Sequence, residues 1–147
     1  MSVERAGWMR LLALASPQTL LDGVRALGPL PAAVPLRAPE IGLVMVRGRV
    51  GGSGDPFNLG EATVTRATVR VGSYDGYACI LGRNAEHAEA AALCDALLRD
   101  ERWHARVDAA ILEPLRREQT ERALQRRRER AATTADFVSV VREREDA

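Results

Sequence analysis

Lysine is missing from all 147 residues, so the 21 basic side chains are arginine without exception. A phosphate loop of the Walker type needs its lysine on the β- and γ-phosphates, and a Schiff-base enzyme needs an amine nucleophile. Neither mechanism can run on residues of this chain. Cysteine is scarce as well. Cys79 and Cys94 are the two present, too few for a disulfide framework, and both lie in apolar stretches as small buried hydrophobes do. Aromatic residues make up only 4% of the chain against 46% hydrophobic content, so aliphatic and alanine packing must build the core. No apolar run approaches the ~18 residues a membrane span requires, and no basic-then-apolar signal opens the chain; a soluble, cytoplasmic protein is expected. A formal net charge of +1 gives no long-range attraction to nucleic acid or an anionic membrane, and neither is an expected partner.

What is present reads as one α+β domain. Val3 to Ala15 places Trp8, Leu11, Leu12 and Ala15 on one helical stripe. Ser16-Pro17 reads as an N-cap with proline at the first helical position, and Leu20, Val24 and Leu27 share a face of the short helix that Gly28-Pro29 closes. This helical part spans residues 3–28. The period then changes to two. Pro35 and Pro39 restrict Val34 to Glu40 to an edge strand or a loop, and Ile41 to Val50 is a strand. A turn-rich stretch covers Gly51 to Pro56. Glu61 to Val71 alternates again, Gly72 to Gly76 reads as a hairpin connection, and Tyr77 to Leu81 as a strand. Short connections without helices force antiparallel pairing, which predicts a sheet of three to four strands within residues 34–83.

Asn84 is the expected N-cap of a helix over Ala85 to Arg99, with Ala90, Leu93, Cys94 and Leu97 buried. Trp103, Val107 and Ile111 continue at helical spacing, and Pro114 interrupts or kinks that segment. Leu115 to Ala132 is rich in arginine and glutamate, with possible i, i+4 pairs at Arg117–Glu121 and Glu118–Arg122. The C-terminal helices thus cover 84–132, and an apolar tail at 136–142 carries Phe137, Val138, Val140 and Val141.

No self-sufficient catalytic set emerges. His87 and His104 have no cysteine or serine nucleophile beside them in a recognisable elbow, and each reads as a surface or capping histidine. Cys79 and Cys94 sit on different elements, and His87 and Cys94 are two helical turns apart, so zinc-ligand spacing is absent. Glu61, Glu86, Glu89 and Asp95 are scattered. The Gly51-Gly52-Ser53-Gly54 turn can hold an anion through backbone N–H groups, with Arg47, Arg49, Arg66 and Arg83 near it, or it is a flexible hairpin loop. Arg126-Arg127-Arg128 lacks interleaved aromatics and reads as a solvated or partner-facing helix surface. The expected contacts to anions or partners are Arg47, Arg49, Gly51, Gly52, Gly54, Arg66, Arg83 and His87, with no catalytic residue and no metal ligand.

The order of motifs carries a resemblance. Gly7-Trp8-Met9 is followed by the run Pro39-Glu40-Ile41-Gly42-Leu43-Val44-Met45-Val46-Arg47-Gly48-Arg49, then by the 51–54 glycine turn and Phe57-Asn58-Leu59-Gly60-Glu61. Thr63 to Ala67, Gly76-Tyr77, Gly82-Arg83, His87-Ala88-Glu89, Ala92 to Leu97 and Asp136-Phe137 complete the series. It resembles the PhnG family over nearly the whole chain, least so at 116–135. The resemblance implies a subunit of the bacterial carbon–phosphorus lyase core complex, beside PhnI-, PhnH- and PhnJ-like partners. It implies a part in displacing adenine from ATP by a phosphonate, giving α-D-ribose 1-methylphosphonate 5-triphosphate. ATP is then the co-substrate of the complex, with no cofactor held by this chain alone. The alternative role is a scaffold that orders the catalytic PhnI-like subunit without touching substrate. An independent phosphotransferase is disfavoured by the missing lysine and the lack of paired carboxylates for Mg²⁺.

Overall fold

The computed structural model describes the backbone of residues 3–145 and the side chains of residues 4–133. Two helices come first, α1 (Val3–Leu14) and α2 (Pro17–Ala26), then strands β1 (Ala33–Arg49), β2 (Pro56–Val71) and β3 (Tyr74–Leu81). Helices α3 (Ala85–Leu98) and α4 (Glu101–Val107) follow, then a π-helical segment (Asp108–Leu112) and α5 (Glu113–Glu145). The three strands form one antiparallel sheet in the order β1-β2-β3, as the short connections require. The chain is therefore α+β, with the expected three strands flanked by N- and C-terminal helices.

Two compact units are present, Met1–Leu115 and Arg116–Ala147. The first contains the core. Across the sheet Thr65 faces Ile80, Ala67 faces Ala78 and Val69 faces Gly76. Residues paired this way share a face, and all six are buried in the layer shared with α3. Helix α3 is buried nearly all round, with Ala88, Ala92, Cys94, Ala96 and Leu97 completely enclosed. Trp8 and Leu12 of α1 and Leu20 of α2 close the core from the other side. The opposite sheet face carries polar pairs such as Arg70 against Asp75, whose ion pair is 2.6 Å long.

Three details differ from the sequence expectations. Gly76 is not part of the hairpin turn. The connection is Gly72-Ser73 alone, and β3 starts at Tyr74. Gly76 lies where β3 crosses α3, and a Cβ there would stand 1.9 Å from the Ala92 carbonyl oxygen and 2.8 Å from the Ala96 Cβ. Glycine on the strand and alanine on the helix let two backbones touch. Second, Ser16 precedes Pro17 as expected, yet its hydroxyl makes no capping bond. Third, Pro114 does not break the helical path; a π-helical turn immediately before it absorbs the proline, which lacks the N–H that a regular helix uses.

The second unit belongs to α5. Its residues 116–133 are almost all exposed, including Leu124, and Glu118 pairs with Arg122 as expected. The side chains of Phe137, Val138, Val140 and Val141 lie outside the described residues. Gly76→Ala is expected to destabilise the protein by about 2–3 kcal/mol, the upper range for overpacking, because the obstacle is backbone and cannot rotate away. Urea denaturation measures this, and an unchanged midpoint would refute the close crossing.

Candidate functional site

Two features stand apart from ordinary core packing: a buried carboxylate that joins three elements, and a long two-stranded arm. Asp95 lies on α3 and is fully enclosed. Its Oδ1 accepts from the Trp8 indole N–H at 2.8 Å and the Arg5 Nε at 3.1 Å, and its Oδ2 accepts from Arg5 Nη2 at 2.6 Å and the Tyr77 backbone N–H at 2.9 Å. The guanidinium reaches in from a half-buried position and is held, above all by its hydrogen bonds to Asp95, more firmly in its charged form. Each carboxylate oxygen accepts two bonds, one of them from Arg5, so the buried charge is compensated. The Tyr77 N–H is on the outer edge of β3, so Asp95 also caps that edge.

The histidines serve the same assembly. His87 is buried, its backbone N–H donates to Asn84 Oδ1 at 3.0 Å, and its Nε2 lies 2.8 Å from the Leu12 carbonyl. A carbonyl only accepts, so Nε2 carries the proton. His104 donates from Nδ1 to the Leu98 carbonyl at 2.7 Å, and its ring meets Trp8 edge-on at 5.6 Å between centroids. Burial pushes the Cys94 thiol up to about 12, which keeps it protonated and unreactive at neutral pH.

The arm begins where the helical layer stops. The Thr65 hydroxyl donates to the Gly82 carbonyl at 2.6 Å and accepts from the Asn84 backbone N–H at 3.2 Å, which fixes the start of α3 level with Thr65. Beyond this point β1 and β2 run on as a ribbon from Ile41, opposite Thr65, to Arg49, opposite Pro56. Eight strand steps carry it about 26 Å. Ile41, Leu43 and Met45 continue the core face of the sheet with nothing packed beneath them among the described residues, and are 53–60% exposed. Val46, Phe57 and Leu59 are exposed too. At the register shift between Val46 and Arg47, Leu59 is the extra residue of β2.

The structure disperses the arginines that the sequence placed near one another. Arg47 and Arg49 share the arm tip with Gly51, Gly52 and Gly54. Gly51 and Gly52 both take positive φ, with open space where a Cβ would be. Arg47 Nε is 3.4 Å from Asn58 Oδ1, and Arg49 Nη1 is 3.3 Å from the Gly54 carbonyl. Neither has a carboxylate partner among the described residues. Arg66 is remote from them: it lies against Gly42 and 3.6 Å from Glu40, and Glu40 is seven residues, roughly 23 Å, down β1 from Arg47. Arg83 is exposed on the β3–α3 connection. His87 is not presented to solvent at all.

Sequence reasoning passed over Asp95 and the apolar arm. For Asp95 the signal is an acidic residue in register with Ala91, Ala92 and Leu98 on an alanine-rich helix. For the arm it is the alternation of Phe57 and Leu59, which continues β2 back to Pro56 and was hidden by the turn residues around it.

Among proteins of known sequence, residues 3–143 match the family described as phosphonate metabolism protein PhnG. The chain is also 44% identical, over 140 residues, to the α-D-ribose 1-methylphosphonate 5-triphosphate synthase subunit PhnG of Rhizobium meliloti (strain 1021). That match covers 95% of this chain and 89% of the relative. The chain belongs to the PhnG family. The match to the PhnG family takes in the helical pair, the sheet with its arm, α3, α4 and most of α5. Among the described residues no three of His, Cys, Asp and Glu are grouped to hold a metal ion, and no helix is long and apolar enough to cross a membrane.

Asp95→Asn removes the charge that Arg5 answers and leaves a buried, mismatched amide. A loss of about 3–5 kcal/mol is expected, the range for breaking a buried pair. Thermal and urea unfolding would report it, and an undiminished midpoint would show that α1 is held by packing alone.

Proposed function

We propose that this protein is a non-autonomous subunit of an α-D-ribose 1-methylphosphonate 5-triphosphate synthase in phosphonate breakdown. It works in the cytoplasm beside PhnI-, PhnH- and PhnJ-like subunits, and supports displacement of adenine from ATP by an alkylphosphonate. Membership of the PhnG family supplies the pathway. The observation that carries the subunit role is the arm. Ile41, Leu43, Met45, Val46, Phe57 and Leu59 are 37–62% exposed, on a ribbon that continues past its own core. Covering each would yield roughly 1–1.5 kcal/mol, about half of full burial, hence on the order of 6–9 kcal/mol in all. That is comparable with the cost of association, about 4–15 kcal/mol, and a monomer has no use for it. The reactive side chains agree: His87 and His104 are spent on backbone carbonyls, Cys94 is sealed in the core, and Asp95 is fully paired.

The scaffold role, in which the chain orders a catalytic subunit without touching substrate, is favoured by the state of Arg47 and Arg49. Both are exposed and only loosely held, on an open tip that does not enclose a phosphate by itself.

The test is adenine release from ATP and methylphosphonate by the co-expressed subunits, with and without this chain. The isolated chain is expected to show no turnover, and omission to reduce release at least a hundredfold. Turnover by the chain alone, or undiminished release without it, would overturn the proposal. In the assembled complex, Arg47→Ala/Arg49→Ala is expected to leave the KM for ATP unchanged; a tenfold rise would instead assign the tip to the triphosphate.

A further inference from the structure

Both edges of the ribbon are open along the arm, because β3 pairs with β2 only from Val64 to Val71. The β2 edge is interrupted by Pro56, the extra residue Leu59 and the charge of Glu61, whereas the β1 edge has two halves that differ. From Ala33 to Glu40, β1 is protected in the way edge strands usually are: Pro35 and Pro39 remove donors, and register shifts fall between Pro35 and Arg37 and between Arg37 and Glu40. From Ile41 to Val46 the protection stops. This stretch, Ile-Gly-Leu-Val-Met-Val, has no charge, no proline and no break in its pairing with β2. Every second residue still turns its N–H and C=O outward, because β1 has a strand neighbour on one side only. An uncharged apolar edge of this kind is a template for another strand.

Charge specifies the occupant. Glu40, the acidic residue on β1, already faces Arg66 at 3.6 Å and Arg37 at 3.8 Å. Arg47 and Arg49 follow on the same strand with no carboxylate partner among the described residues. A second copy of this chain, paired antiparallel and centred on Leu43, would set Arg37 opposite Arg49 twice, with like charges adjacent. The complementary strand is apolar opposite residues 41–46 and acidic opposite 47–49.

We infer that β1 adds one strand from another subunit along residues 41–49, an extended apolar segment ending in aspartate or glutamate, to make a four-stranded sheet. This rests on the subunit role proposed above and specifies its contact. The backbone bonds would give affinity, and the arginines would set register and direction.

Hydrogen exchange in the purified complex tests it. Continuous protection of the amides from Ile41 to Arg47 is expected, whereas an open edge leaves every second amide exchanging fast. Leu43→Lys/Met45→Lys, at exposed positions, is expected to keep the melting temperature of the isolated chain and weaken its association at least tenfold. Arg47→Glu/Arg49→Glu should weaken association by a similar factor. Alternating exchange in an otherwise intact complex, or normal assembly of the lysine variant, would overturn the strand addition while leaving the subunit role standing. A disulfide between two copies of a Leu43→Cys variant within the complex would assign the edge to self-pairing and overturn the acidic partner. Failure of the wild-type chain to co-purify with the other subunits would overturn both.

Discussion

The body of the protein depends on the contact between helix α3 and strand β3. Two backbones meet there with no side chain between them, because Gly76 and the Ala92–Ala96 pair supply no bulk. This approach lets the Asp95 carboxylate reach the Tyr77 N–H while Arg5 and Trp8 bind it from α1. One charged side chain therefore fixes strand, central helix and N-terminal helix at once. Packing alone would tolerate small slides of α3 along the sheet. A bidentate ion pair with two further donors does not, since each bond is directional.

This rigid seat explains the use of the other polar groups. His87 ties α3 to α1, His104 ties α4 to the end of α3, and Thr65 ties the start of α3 to the sheet. These are the groups from which a small enzyme would draw a base or a nucleophile. Here they act as fasteners, and the core they close leaves no reactive cluster for chemistry among the described residues. The largest exposed apolar surface is consequently outside the core, on the ribbon that the helical layer does not reach.

The arm follows from a mismatch of lengths. Strand β1 has 17 residues and β2 has 16, while β3 has 8. The helices cover what β3 covers and no more. Past Thr65 the same alternation of side chains continues, so residues with the pattern of a core face solvent. In an isolated protein this would invite aggregation, whereas in the proposed subunit role it would be covered by a partner.

Much of this was legible from one dimension. Periodicity located the helices and strands, the short connections dictated antiparallel order, and Asn84 was recognisable as a cap, because those features depend on residues close in sequence. The missing lysine and sparse cysteines excluded whole mechanisms without any fold. Asp95, His87 and Gly76 were not legible, since their meaning lies in partners 90, 75 and about 16–20 positions away in the chain. Likewise the arginines look like one cluster in the sequence, yet strand geometry sets Arg66 far from Arg47. Local pattern determined which segments would be helix or strand; only the tertiary structure decided which buried charge is paired and which apolar face stays bare, because both are fixed by distances through space that the chain order does not encode.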